Sequence, residues 1–209
     1  MQLEHYNPEL IIDEDAFAWR YVSFSKLWNI LHDNEIYFTR LDVFDADPLE
    51  GVTSKHRWFL DMHNRKRFDE NEVLETLTSL NEFQVNKDEL DKWKCGHFAS
   101  CWYLTEKKQH DESFAMWNLY TDSYGCLIRI SFKELVAVIE KSLPVEKEIT
   151  AAYYGKMHYM NTYQYTQEKR FPIMPSFFKS SGYRHENEVR FIFNQEAMEI
   201  KTERAYQLF

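Results

Sequence analysis

Apolar positions along the chain change period several times, and the changes mark its elements. Trp19 to Val22 reads as a short strand. Ser23 or Ser25 is placed to cap a following helix that runs through His32, with Leu27, Trp28, Ile30 and Leu31 as its apolar face. Glu35 to Arg40 reads as a strand ended by the Asp47-Pro48 turn. In the second half the pattern predicts a strand over His97 to Leu104, a short helix over Ser113 to Tyr120, a strand over Cys126 to Phe132 and a helix over Lys133 to Lys141. Leu135, Val136 and Ile139 share one face of that last helix. Ile149 to Tyr159 is a further strand. A helix-like stretch follows from Tyr163 toward Phe178, interrupted by Pro172 and Pro175, and Glu188 to Phe193 is the last strand.

Between the halves, His63 to Lys94 is the most polar stretch. Leu74, Leu77, Leu80 and Phe83 recur in it at helical spacing, so it reads as a helical insertion of about residues 63–94. No repeat and no linker divides the chain. Strands and helices mix without a βαβ rhythm, which predicts an α+β fold. The expected form is a single domain over residues 1–209, with a mixed or antiparallel sheet and flanking helices.

Composition narrows the chemistry. The chain has sixteen Phe, thirteen Tyr and six Trp but only five Gly, at 51, 96, 125, 155 and 182. Those glycines are too far apart for a phosphate-cradling loop of either common kind. A net charge of −9 disfavours nucleic acid, and the short run Arg65-Lys66-Arg67 does not reverse that. Three cysteines form no CxxC pair, and eight histidines stand outside any HExxH frame, so no metal site is expected. No window is apolar enough to span a membrane, and the N-terminus lacks a leader-like pattern. A cytoplasmic protein is expected.

His185-Glu186-Asn187-Glu188-Val189-Arg190 carries the densest candidate chemistry. In an extended chain residues two apart share a face, so Glu186, Glu188 and Arg190 line up opposite Val189 and Phe191. One carboxylate can serve as base or electrostatic stabiliser while the arginine holds it ionised. A charge-paired outer face of an edge strand explains the same pattern. Arg20-Tyr21 offers a guanidinium for a phosphate or carboxylate. Ser100, Tyr103, Trp117 and Tyr120 supply hydroxyls and rings for one wall of a pocket, although rings at such spacing also build cores. Tyr153 to Tyr165, with Lys156, Lys169 and Arg170, interleaves aromatics with cations, and core or pocket use suits the acidic chain better than base stacking.

These motifs, in this order, resemble an uncharacterised bacterial family, catalogued as domain of unknown function 2971. The carriers are Arg20-Tyr21; Ile36-Tyr37-Phe38 and Phe44 leading to Asp47-Pro48-Leu49-Glu50-Gly51; Ser100 to Leu104; Met116-Trp117 with Tyr120; Gly125; and Phe178-Lys179 with Tyr183, Glu186, Glu188 and Arg190. Two positions depart from the family pattern: Ala46 stands where Asn is usual and Val189 where an aromatic is common. The resemblance implies a defence- or toxin-related setting. More distantly the order is similar to mono-ADP-ribosyltransferases, which bind NAD without a glycine-rich loop. That likeness implies Arg20 on the pyrophosphate, Ser100 with Tyr103 in the middle strand, and Glu188, with Glu186 before it, as the catalytic carboxylate. Tyr103, Trp117 or Tyr120 would stack on nicotinamide. NAD would then be a substrate, with no prosthetic group. The alternative is a non-enzymatic module that recognises a nucleotide-type small molecule or a protein partner through the same residues.

Overall fold

The computed structural model describes residues 2–44, 47, 50–51, 90–105, 112–143, 149–161 and 174–195, and the backbone of 205–208. Most of the expected insertion and the stretch 162–173 lie outside the described residues; of the insertion, residues 90–94 belong to a helical turn over 90–95. The fold is α+β. Strand β1 (Leu3–His5) precedes β2 (Phe17–Ser23), helix α1 (Phe24–Asp33) and β3 (Ile36–Arg40). Then come β4 (His97–Thr105), α2 (Phe114–Tyr120), β5 (Gly125–Ser131) and α3 (Phe132–Ser142). Strands β6 (Ile149–Lys156), β7 (His158–Met160), β8 (Phe178–Ser180), β9 (Glu188–Gln195) and β10 (Ala205–Leu208) complete it.

The main sheet runs β1-β6-β9-β4-β2-β5, with β3 paired to β4 and β10. Its β1–β6 pair is parallel and the other pairs are antiparallel. Strand β4 shares its far edge between two partners. Tyr103 to Thr105 pair with Trp19 to Phe17 of β2, while Phe98 and Ala99 pair with Arg40 and Thr39 of β3. The sheet therefore forks beside Ser100 to Trp102.

Register decides which side chains meet. On the first face, Ala18, Trp102, Leu104, Val189, Phe191 and Phe193 pack with Phe132, Leu135 and Ile139 of α3. On the second face, Ala99 and Ile192 pack with Leu41, Met157 and Phe177, and Trp19 and Tyr21 pack with Met116 of α2. Both faces of β9 are thus covered, and its residues 188–193 are all buried.

Local signals account for the boundaries. Serine caps open α1, α2 and α3: Ser23, Ser113 and Ser131 accept from the backbone N–H of Lys26, Met116 and Glu134. The Ser131 cap makes Phe132 the first residue of α3 instead of the last of a strand. Helix α1 ends at Asn34, whose φ of 56° is a left-handed C-cap. The single strand expected over 149–159 is two, because Met157 turns its N–H to the Glu188 carbonyl at 3.0 Å and β7 pairs β8 in a separate two-stranded sheet. Where the helix-like stretch was to reach Phe178, Pro175–Phe177 is one 3-10 turn and Phe178 begins β8. Among the described residues, no helix is long and apolar enough to cross a membrane.

Candidate functional site

Strand β9 carries Glu188 and Arg190 on the second face, as their two-residue spacing requires. Glu186 arrives differently from the expectation. It ends the 3-10 turn Ser181–Glu186, and Asn187, at φ 36°, makes the left-handed step into the strand. A bend, not strand alternation, brings the two carboxylates together. Asn187 is fixed there because its side-chain N–H₂ donates to the Leu104 carbonyl at 2.5 Å.

Around this step lies a buried ion cluster. Arg190 donates from Nε to Glu188 Oε1 at 2.7 Å, from Nη2 to Glu50 Oε1 at 2.6 Å and from Nη1 to the Ser176 carbonyl at 2.7 Å. Lys179 Nζ donates to Glu186 Oε2 and, at 3.1 Å, to Glu188 Oε2, and it stands 3.8 Å from Glu50 Oε2. The Tyr120 hydroxyl donates to Glu186 Oε1 at 2.6 Å, and the Tyr159 hydroxyl accepts from the Glu188 N–H at 2.8 Å. Glu50, Lys179, Glu186, Glu188 and Arg190 are all buried, with Arg190 at 0% exposure. Both oxygens of Glu186 and of Glu188 therefore already accept a hydrogen bond.

Electrostatics follow from this crowding. Burial opposes the charge on Glu188, but Arg190 and Lys179 outweigh it and hold the carboxyl down at about 2. Burial likewise opposes the Lys179 charge, and Glu188, Glu50 and Glu186 outweigh it, so its pKa stands above the ordinary lysine range. For Glu50 burial prevails over Arg190 and Lys179, and its pKa is raised. Burial, opposed by Lys179 and reinforced by the hydrogen bond to Glu186, raises the Tyr120 phenol. Burial also keeps Cys101, opposite Arg190 in the register, a thiol well above its usual pKa. Half-buried Lys94 is a further cation that interacts with Glu50.

The cluster ties together segments far apart in sequence. Glu50 comes from the turn after β3, Lys179 from β8, Glu186 from the 3-10 turn and Tyr120 from α2. Asp47 adds a second anchor for the first of these, accepting from the Ser180 N–H at 2.8 Å and from its hydroxyl at 3.1 Å. Its chemistry is that of a clamp. Neither Lys179 nor Glu50 stood among the expected site residues. Lys179 stood just beyond the stretch read as helix and belonged to the motif that carries the family resemblance, with no role attached to it. Glu50 carried no pattern of its own beyond its place in the Asp-Pro-Leu-Glu-Gly turn.

The structure does not gather the other expected residues into one pocket. Tyr21, Tyr103 and Trp117 lie on the second face but pack on one another. The Tyr21 ring meets Trp117 edge-on at 5.2 Å and Tyr103 at 6.3 Å, and its hydroxyl accepts from the Ser113 N–H at 2.9 Å. They form a small core under α2 rather than a ring-stacking wall. Ser100 is fully buried on the first face, where its hydroxyl accepts from the Trp102 indole at 3.1 Å.

Arg20 also lies on the first face. Pairing in β2 and β4 alternates strictly from Phe17–Thr105 to Trp19–Tyr103, which puts Arg20 with Trp102, and its guanidinium sits 5.3 Å from that ring. Glu188 pairs with Tyr103 and so points the other way. The expected juxtaposition of Arg20, Ser100 and Glu188 is therefore corrected: the pleat sends the first two and the third to opposite sides of the sheet. At the fork, Arg20 Nη2 donates to the Tyr37 carbonyl at 3.2 Å, whereas Nη1 is buried without a partner. Burial pushes the pKa of this guanidinium below the ordinary range. Among the described residues no group of His, Cys, Asp and Glu could hold a metal ion. Comparison of the chain with family models, with curated proteins and with solved structures finds no match.

Proposed function

We propose that the protein is a non-enzymatic recognition module that takes an anionic, nucleotide-type small molecule at the fork in its sheet, with Arg20 as the anchor. One observation carries this reading: the Nη1 of Arg20 is buried and makes no hydrogen bond. An unmade bond to a buried charged donor costs about 1–3 kcal/mol or more, and a phosphate or carboxylate oxygen would relieve it. Trp102 beneath the guanidinium and the Tyr37 carbonyl on Nη2 fix its plane in advance. On this reading Glu188 is a structural residue, because its two oxygens are committed to Arg190 and Lys179. NAD is then a ligand to be bound and not a substrate to be split. A role in bacterial defence belongs to the proposal as the setting in which such a signal would be read.

A second reading, recognition of a protein, draws on α1. Its apolar arc is wider than the sheet covers: Leu27 and Ile30 are half-buried, while Phe24, Trp28 and Leu31 are 56%, 59% and 67% exposed. A thermal-shift panel of inorganic phosphate, ATP and NAD separates the two. At a hundred times Kd a ligand adds about 2.7 kcal/mol, or roughly 5–11 °C in a chain of this size. The expected result is a rise with at least one anion that Arg20→Met abolishes. Unchanged melting with every anion would overturn the nucleotide reading and leave the protein-partner reading standing.

A further inference from the structure

Strand β5 ends the main sheet. Among the described residues it has one strand neighbour, β2, and it pairs with that strand over its whole length, Gly125 to Ser131, without a register shift. Edge strands in natural proteins are usually short, bulged, broken by proline or guarded by lysine, because open N–H and C=O groups recruit other strands. β5 has no bulge, proline or lysine, and its one exposed charge, Arg129, lies over the Phe17 ring of β2 at 3.6 Å. Its sequence, Gly-Cys-Leu-Ile-Arg-Ile-Ser, holds a single charge, Arg129, and all its residues but Arg129 are half-buried. Ile128 and Ile130 pack against the rim of the main core. The exposed Tyr124 stands at one end of this edge, its carbonyl bonded to the N–H of the exposed Phe24.

We propose that β5 is a dimer edge, pairing antiparallel with β5 of a second copy so that two sheets join into one. The sequence of the edge argues for its own copy as the occupant. A two-fold interface must be self-complementary. Centring the pair on Ile128 keeps all seven residues in register and sets Cys126 opposite the other copy's Ile130, and Gly125 opposite its Ser131. The one charge is placed well, because Arg129 then faces Leu127 of the other copy instead of its own equivalent. On the first face, Cys126, Ile128 and Ile130 of both copies form one apolar band that extends each core.

The register makes the test sharp. Leu127→Arg and Leu127→Glu lose the same packing within one chain but place opposite charges against the other copy's Arg129. Sedimentation of the full chain should give twice the mass of one chain. Leu127→Arg should weaken the dimer relative to Leu127→Glu, by on the order of tenfold, because two cross-strand pairs change sign. A second measurement does not rely on those variants. Cα atoms across an antiparallel pair lie about 4.5–5.5 Å apart, within disulfide reach. Diamide oxidation of Ile130→Cys should therefore link two chains through Cys126, and Cys126→Ser/Ile130→Cys should not be linked. A monomeric wild type, equal dimer affinities for the two Leu127 variants, or cross-linking that survives Cys126→Ser would each overturn the proposal.

Discussion

Replacing Lys179 with methionine perturbs the ion cluster with little change of volume. It leaves Glu50, Glu186 and Glu188, all buried, with Arg190 as the cation hydrogen-bonded within the cluster and Lys94 acting on Glu50 from beside Gly51. Removing one partner from a buried ion pair typically costs about 3–5 kcal/mol, against a total stability of about 5–15 kcal/mol. For a chain of this size that is a fall in Tm of roughly 6–20 °C. The pH dependence distinguishes electrostatics from lost packing. Without the lysine, the folded-state pKa values of Glu50 and Glu188 rise, Glu50 first, since burial already raises it. A raised folded-state carboxyl gains stability as pH falls, whereas the depressed Glu188 of the wild type loses it. The gap between variant and wild type should therefore shrink from pH 7 to pH 5. Adding Glu186→Gln, which removes one carboxylate charge, should recover part of the loss at pH 7. Urea or thermal unfolding of the three proteins at both pH values is the assay. A loss under about 1 kcal/mol, or a gap that widens at pH 5, would refute the account of the cluster.

Glu188 itself should make the wild type acid-sensitive: with its folded pKa near 2 and an ordinary value of 4.5, its contribution is lost as pH falls through that window. Glu188→Gln should flatten the acid limb of an unfolding titration, and neither protein should consume NAD. Gly155→Ala should destabilise β1, because the new Cβ would lie 2.3 Å from Asn7 Oδ1 while Asn7 Nδ2 holds the Lys156 carbonyl at 2.7 Å. Overpacking of this kind costs about 1–3 kcal/mol, readable by chemical denaturation. Ser131→Ala removes the cap of α3 and should cost about 1 kcal/mol in the same assay, with no effect on ligand binding.

Strands β2, β3, β4 and β9 and helices α1, α2 and α3 were legible because each has an apolar period bounded by a serine cap or a turn. A serine cap was read only for α1, and the unread cap at Ser131 is why the boundary moved by one position at Phe132. Strands β1 and β10 were not legible, since three or four residues carry no period and gain their pairing from a partner far along the chain. β8 was hidden by neighbouring prolines and aromatics that read equally well as a broken helix. The charged face of Glu188 and Arg190 was visible as alternation. Its burial was not, because that depends on β9 lying between β6 and β4. Glu186 shows the same limit from another side: a left-handed Asn187 replaced the alternation that two-residue spacing suggested. The loss of a common pocket for Arg20, Ser100 and Glu188 has a simple cause. Order along the chain says nothing about pleat parity across strands, and parity decides which face a side chain takes.

The claim that the fork is an anion site rests on one guanidinium, and calorimetric titration tests it most directly. The full chain, its Arg20→Gln variant and its Glu188→Gln variant would each be titrated with whichever of phosphate, ATP or NAD raises the wild-type Tm most. A charge-assisted hydrogen bond contributes about 1.5–3 kcal/mol. Arg20→Gln should therefore raise Kd by about tenfold or more, while Glu188→Gln, acting from the other side of the sheet, should leave Kd within about threefold. Equal affinity of wild type and Arg20→Gln would contradict the account, as would a loss confined to Glu188→Gln.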